Sequence, residues 1–195
     1  AIAHCKYILK IYPKYIPVYS LLGKAYLESQ RYSEALDIFK RVLSVYPDDF
    51  IAHLSLSIIR EGEENLDAAI FHMERAYEVE PANAGIQNEL RRLYGRRDRA
   101  IPPRVRLTRG ALVRMYERGE LYRQAIAEIR AALTEHPDRI DLKVILCRMC
   151  FLAGQKVEAT DIASQLISKL PYCFEANRIL AVILPGTSRA DDAGL

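Results

Sequence analysis

Two cysteines three residues apart, Cys147 and Cys150, come closest in this chain to a chemical motif. Such a pair can exchange disulfides or supply half of a zinc site, and each use has a further requirement. Redox use wants a thiolate at a helix start, where it is stabilised, but this pair lies inside a predicted helix. A structural zinc wants four ligands, and no second Cys-x-x-Cys or nearby histidine pair completes the set. The two are therefore read as buried structural thiols, and no metal is expected. His4, His53, His72 and His136 fall in different hairpins and phases, with no metal-binding spacing between them. The acidic pairs Asp48-Asp49, Glu63-Glu64 and Asp191-Asp192 sit at expected turns or helix starts, where carboxylates cap helices. No glycine-rich phosphate loop, G-x-S-x-G elbow or HExxH is present. The expectation is a non-enzyme, with no catalytic residues and no cofactor.

Charge offers a second kind of chemistry. Ten arginines stand between residues 91 and 118, opposed only by Asp98 and Glu117, so this stretch nets +8 while the whole chain nets +3. Dense arginine can hold carboxylate, phosphate or a nucleic-acid backbone bidentately. Arg96, Arg97, Arg99, Arg104 and Arg118 are the anion-binding candidates. The alternative is a solvated linker paired with the acidic remainder of the chain.

The elements that must position these residues follow from composition and period. The chain has 195 residues, 50% of them apolar, with nine Gly and nine Pro, as in a folded soluble chain. Its longest aliphatic stretch, Ile179 to Leu184, is far short of the roughly 20 residues that span a bilayer. No membrane association is expected, and no signal-like stretch stands at the start. Four scattered cysteines do not make a disulfide framework. They read as reduced thiols of a cytoplasmic protein.

Internal repetition is the strongest signal. Pro13, Pro47 and Pro81 are spaced by 34 residues, as are Pro137 and Pro171. Twelve residues before each stands an alanine: Ala1, Ala35, Ala69, Ala125 and Ala159. Between Pro13 and Pro47, apolar residues fall at Tyr19, Leu22 and Tyr26, then at Ala35, Ile38, Phe39, Val42 and Leu43. Those three- and four-residue spacings give two amphipathic helices, with a break near Ser29 to Tyr32. Proline stops the second helix and the following Asp can cap the next. The alanine lets antiparallel helices approach, and Gly23 is expected to do the same on the first helix.

The run Tyr19, Leu22-Gly23, Tyr26, Ala35, Phe39, Val42 and Pro47 resembles the tetratricopeptide repeat, with Tyr19 where the family usually has Trp. The next unit keeps Leu56, Ala69, Ala76 and Pro81. Later ones keep Leu112, Tyr116, Ala125, Ala132 and Pro137, then Leu146, Ala159, Leu166 and Pro171. The resemblance covers nearly the whole chain. It implies an all-α, right-handed α-solenoid of stacked antiparallel helical hairpins, with four full hairpins. Partial units are expected at both ends, because Ala1 and Ala193 are in phase with the markers. The termini are read as cutting through a longer array, or as natural ends capped otherwise.

The beat fails once. Pro81 and Pro137 are 56 apart, and the marker alanine due at 103 is Pro103, preceded by Pro102. Residues 84–95 read as a polar first helix. A second such helix follows 22 residues on, where Leu112, Arg114, Tyr116 and Arg118 repeat Leu90, Arg92, Tyr94 and Arg96. One reading is two blocks, 1–95 and 104–195, joined by an Arg- and Pro-rich linker at 96–103. Eight extended residues reach at most about 29 Å, enough to return along a twelve-residue helix of about 18 Å. The other is a continuous solenoid with one irregular turn.

The resemblance also implies a concave groove lined by first helices, which holds an extended peptide or a partner helix. Carried over by phase, its central ladder is Lys24, Ile58, Arg92, Arg114 and Arg148. Ser20, Leu27, Leu54, Glu61, Asn88, Val144 and Phe151 stand beside it, and Leu27, Leu54 and Phe151 are expected as exposed apolar anchors. Four basic ladder residues favour an acidic partner, unless they pair internally with Glu28, Glu61 or Glu117. The clamp by which some relatives hold chaperone tails is not supported, since its places hold Ser20, Lys24, Ser55, Leu107 and Ala111. The expected function is a protein-binding scaffold for a peptide or partner helix. The alternatives are anion or nucleic-acid binding by residues 91–118, and a regulatory region of a larger enzyme or assembly machine.

Overall fold

In a computed structural model, which describes residues 1–186, eleven α-helices are found among the described residues and no strand. In order they are α1 (Ile2–Ile11), α2 (Ile16–Glu28), α3 (Tyr32–Val45), α4 (Phe50–Gly62), α5 (Leu66–Val79), α6 (Ala84–Asp98), α7 (Arg109–Arg118), α8 (Tyr122–Glu135), α9 (Ile140–Leu152), α10 (Lys156–Lys169) and α11 (Phe174–Ile183). The 34-residue beat becomes a first helix of 13 residues in α2, α4 and α9. Second helices of 14 residues follow in α3, α5, α8 and α10. The in-phase Ala193 lies outside the described residues.

The turn inside each hairpin is built identically. The amides of Arg31, Asn65, Leu121 and Gln155 each donate to the carbonyl five residues back, on Tyr26, Arg60, Tyr116 and Cys150. The preceding residues, Gln30, Glu64, Glu120 and Gly154, adopt positive φ. This is the Schellman closure, which satisfies the last carbonyls of the first helix. Between hairpins, Asp49 caps α4, its Oδ1 accepting from the Ala52 amide at 2.7 Å.

The chain divides into two compact units. The first comprises Ala1–Leu43 and Asp48–Arg106; the second comprises Ser44–Pro47 and Leu107–Leu195, described to residue 186. In the first, Ala35, Phe39 and Val42 of α3 are wholly buried against Leu22 and Tyr26 of α2 and Leu56 and Ile59 of α4. A Cβ on Gly23 would stand 2.7 Å from the Phe39 ring, so the glycine makes room for that fully buried ring. In the second, Ile129, Ile145, Met149 and Ile179 centre a core drawn from α7 to α11. The marker alanines Ala35, Ala69, Ala125 and Ala159 have no exposed surface. The four cysteines are free and buried. Desolvation pushes the Cys147 thiol up to about 12 and Cys150 to about 11, away from thiolate chemistry.

Two boundaries differ from the sequence reading. Helix α6 runs to Asp98 rather than stopping at 95, and the non-helical stretch is 99–108 rather than 96–103. Arg96 and Arg97 suit a helix C-terminus and Pro102-Pro103 forbid helix only farther on, so α6 gains a turn before Arg99 ends it at φ 57°. The chain then doubles back. A Cβ on Gly95 would meet Ile101 at 2.5 Å, and Arg91 Nε donates to the Pro102 carbonyl at 2.8 Å. Thr108 caps α7, its Oγ1 accepting from the Ala111 amide at 3.1 Å.

Candidate functional site

The ladder expected along the first helices falls into two parts, one in each unit. In the first unit α2, α4 and α6 carry Lys24, Ile58 and Arg92. Lys24 is exposed, and among the described residues it has no ion pair. Ile58 is 48% exposed, an apolar side chain on a helix that packs against α2 and α5. Leu27 and Leu54 are half-buried rather than exposed, and Leu27 packs against the core of this unit. Asn88 is exposed and Ser20 is half-buried.

Glu61, at the end of α4, organises the basic side of this face. Arg92 meets it with both terminal nitrogens, Nη1 to Oε1 at 2.7 Å and Nη2 to Oε2 at 2.5 Å. Arg96 bonds the same carboxylate, and Arg92 also binds Glu89 through Nε at 3.0 Å. The hydrogen bond from Arg92 holds the Glu61 carboxyl below its usual range despite partial burial. A fork-to-fork pair fixes guanidinium orientation as a single contact cannot. Neighbouring first helices α4 and α6 are thereby stapled, and Arg92 is locked in place.

The second unit repeats the device. Glu117 of α7 accepts from Arg114 at 3.1 Å and from Arg148 of α9, Nε at 2.8 Å and Nη2 at 2.6 Å. Val144, expected beside this ladder, is instead core, at 2% exposure. Helix α9 packs against α8, α10 and α11, so its apolar stripe widens to take in that side chain. Phe151 is half-buried, with the Arg178 guanidinium 5.5 Å from its ring centre. Three of the four basic ladder residues thus bond to carboxylates of their own chain.

The arginine run is also largely committed. Arg97 pairs with Asp98 at 2.7 Å and lies over the Tyr94 ring. Arg109 reaches Glu128 at 2.7 Å and Glu135 at 3.0 Å. Arg118 is exposed at the end of α7. Arg99, Arg104 and Arg106 are exposed, and among the described residues none has an ion pair.

The histidines do not all fall in different hairpins, as the sequence suggests. His53 and His72 belong to one hairpin, α4 and α5, and their Nδ1 atoms are 3.0 Å apart. Their spacing of 19 residues spans a turn, so no within-helix period reveals it. At that distance one Nδ1 donates and the other accepts. Burial, then the neighbouring His53, Arg60 and Arg75, pushes His72 down to about 3. Among the described residues no group of three or more His, Cys, Asp or Glu is arranged to hold a metal ion. No helix there is long and apolar enough to cross a membrane.

Residues 1–57 match the family model described as tetratricopeptide repeat. No curated relative matches the chain. Among solved structures, MamA is 17% identical, with 86% of this chain and 85% of that chain covered and a TM-score of 0.46. A tetratricopeptide repeat protein from Parabacteroides merdae is 13% identical over 97% of this chain and 67% of that chain, with a TM-score of 0.45. The tetratricopeptide repeat is thus the family in which the first 57 residues are placed, and the later hairpins repeat its alanine and proline markers.

Proposed function

We propose that the chain is a protein-binding scaffold that holds an extended peptide or a partner helix on the first helices of its amino-terminal unit. The observation that carries this reading is the Lys24, Ile58 and Arg92 strip. By the 34-residue phase, exposed Ile58 falls between the unpaired Lys24 ammonium and the Arg92 guanidinium that Glu61 holds in one orientation. Pre-ordered side chains lose less freedom on binding. An apolar centre with cationic flanks suits an acidic partner that brings an apolar anchor of its own. Arg114 and Arg148 belong to the same reading only for a partner that competes with Glu117.

Affinity capture with the full chain tests it. A partner held by the native chain is lost with Lys24→Glu plus Ile58→Glu. It is retained with Lys40→Glu, an exposed change on α3. Equal capture by all three removes the strip from the binding surface.

A second reading is favoured by one feature, the three exposed arginines of the non-helical stretch. Arg99, Arg104 and Arg106 would give salt-sensitive binding to an anionic polymer. Three phosphate contacts on a single strand imply a log–log salt slope of roughly −2. Anisotropy of a labelled oligo(dT) at low salt measures it, and no binding there ends this reading.

A further inference from the structure

Helices α8, α9 and α10 leave between them a cleft of about 160 Å³. Five aliphatic side chains line it, among them Leu133 and Ile162, while Lys143, Gln165 and Lys169 complete the rim. The repeat supplies an internal comparison. Ninety positions earlier, His53 stands for Lys143, His72 for Ile162 and Arg75 for Gln165. There the side chains bond to one another: the two imidazoles meet at 3.0 Å, and Arg75 is buried on Glu78 at 3.1 Å and Glu74 at 3.3 Å. In α9 and α10, Ile162 has no hydrogen bond to make, and Lys143 carries its charge to water over an apolar stem. Side chains that bond to one another in α4 and α5 thus have counterparts in α9 and α10 that border a cleft.

Three properties define what fits. Water is a poor occupant, because it needs two to four polar partners and these walls are aliphatic. The volume is well under the roughly 300 to 1,000 Å³ of small-molecule sites, and it suits one bulky side chain. Lys143 and Lys169 have no ion pair among the described residues, so the groups around that side chain should be anionic. We propose that this cleft is a docking site for an acidic peptide segment. The segment inserts one large aliphatic side chain between Leu133 and Ile162 and sets carboxylates on Lys143 and Lys169. The site is separate from the Lys24 and Ile58 strip, since neither residue lines it.

The probe is a labelled peptide of Asp and Glu with one central leucine. Its controls are the same peptide with that leucine changed to serine, and with every carboxylate changed to the amide. Each is titrated into the full chain at low salt, and methyl resonances of Leu and Ile are followed. The expected result is shifts at Leu133 and Ile162, with both control peptides at least tenfold weaker. Lys143→Glu plus Lys169→Glu weakens binding at least tenfold while leaving the circular dichroism unchanged. Lys143→His plus Ile162→His, which installs the imidazole pair and removes both the cation and the aliphatic wall, abolishes it. Lys24→Glu plus Ile58→Glu leaves it intact, which separates this site from the proposed scaffold face. Equal binding by either control peptide overturns the proposal. So do shifts centred on Ile58, or Leu133 and Ile162 shifts produced by decanoate but not by the peptide.

Discussion

At the scale of single residues, the facing imidazoles of His53 and His72 make stability depend on pH. Only one proton fits between two Nδ1 atoms 3.0 Å apart, and burial lowers His72 from 6.5 to about 3. The unfolded chain therefore binds more protons than the folded chain between those values. Stability contributed by the neutral pair is fully present above about 6.5, falls as pH drops below it, and levels off near 3. The slope is about 1.4 kcal/mol per pH unit for one proton, or about 2 kcal/mol lost by pH 5. Melting temperatures near pH 7.5 and pH 5 should differ accordingly, and His72→Gln should shrink the difference. An unchanged difference would place the linkage elsewhere. Gly23 makes a second residue-scale case. Its missing Cβ leaves the space that the Phe39 ring fills, so Gly23→Ala should cost about 1–3 kcal/mol in a denaturant melt. The two cases were unequally legible. Gly23 stands where a repeat needs a small residue, whereas the imidazole pair forms only when two helices fold across a turn.

At the scale of elements, the hairpin turns were half legible. Helical period put a break at Ser29 to Tyr32, and α2 and α3 do end and begin there. The left-handed residue in the break was not legible, because only Gly154 of the four is a glycine; the others are Gln30, Glu64 and Glu120. A side chain in this conformation costs roughly 1–2 kcal/mol, of which glycine recovers part after its own entropy cost of about 0.5–1 kcal/mol. Gln30→Gly, Glu64→Gly and Glu120→Gly should each be neutral to stabilising by about 0.5 kcal/mol. Alanine should give no such gain. A loss of about 1 kcal/mol on glycine substitution would mean that the turn is not left-handed in solution. The overrun of α6 has a similar origin. Prolines announce where a helix cannot be, but the last turn before them depends on Arg96, Arg97 and the return of Ile101 onto Gly95.

At the scale of the whole molecule, the failed beat between Pro81 and Pro137 has its counterpart in the longest non-helical stretch among the described residues. The other turns between helices span three or four residues, whereas 99–108 spans ten. A protease needs several residues of extended chain, and exposed loops without helical hydrogen bonds supply them at least cost. Arg99, Arg104 and Arg106 lie in this stretch, are exposed, and offer trypsin its preferred side chain. Arginines within helices require local unfolding before they can be cut. Limited trypsin digestion should therefore cleave first, within the described residues, after Arg99, Arg104 or Arg106. If the residues on either side fold as separate blocks, fragments bounded near 106 and 107 should persist with helical circular dichroism, because a separate buried core lies on each side of the cut. Rapid loss of one fragment after the first cut would show that its hairpins depend on the other unit, as nearest-neighbour stabilisation in a continuous array demands. First cuts inside α2, α4 or α9 would contradict the reading of 99–108 as the most cleavable stretch among the described residues.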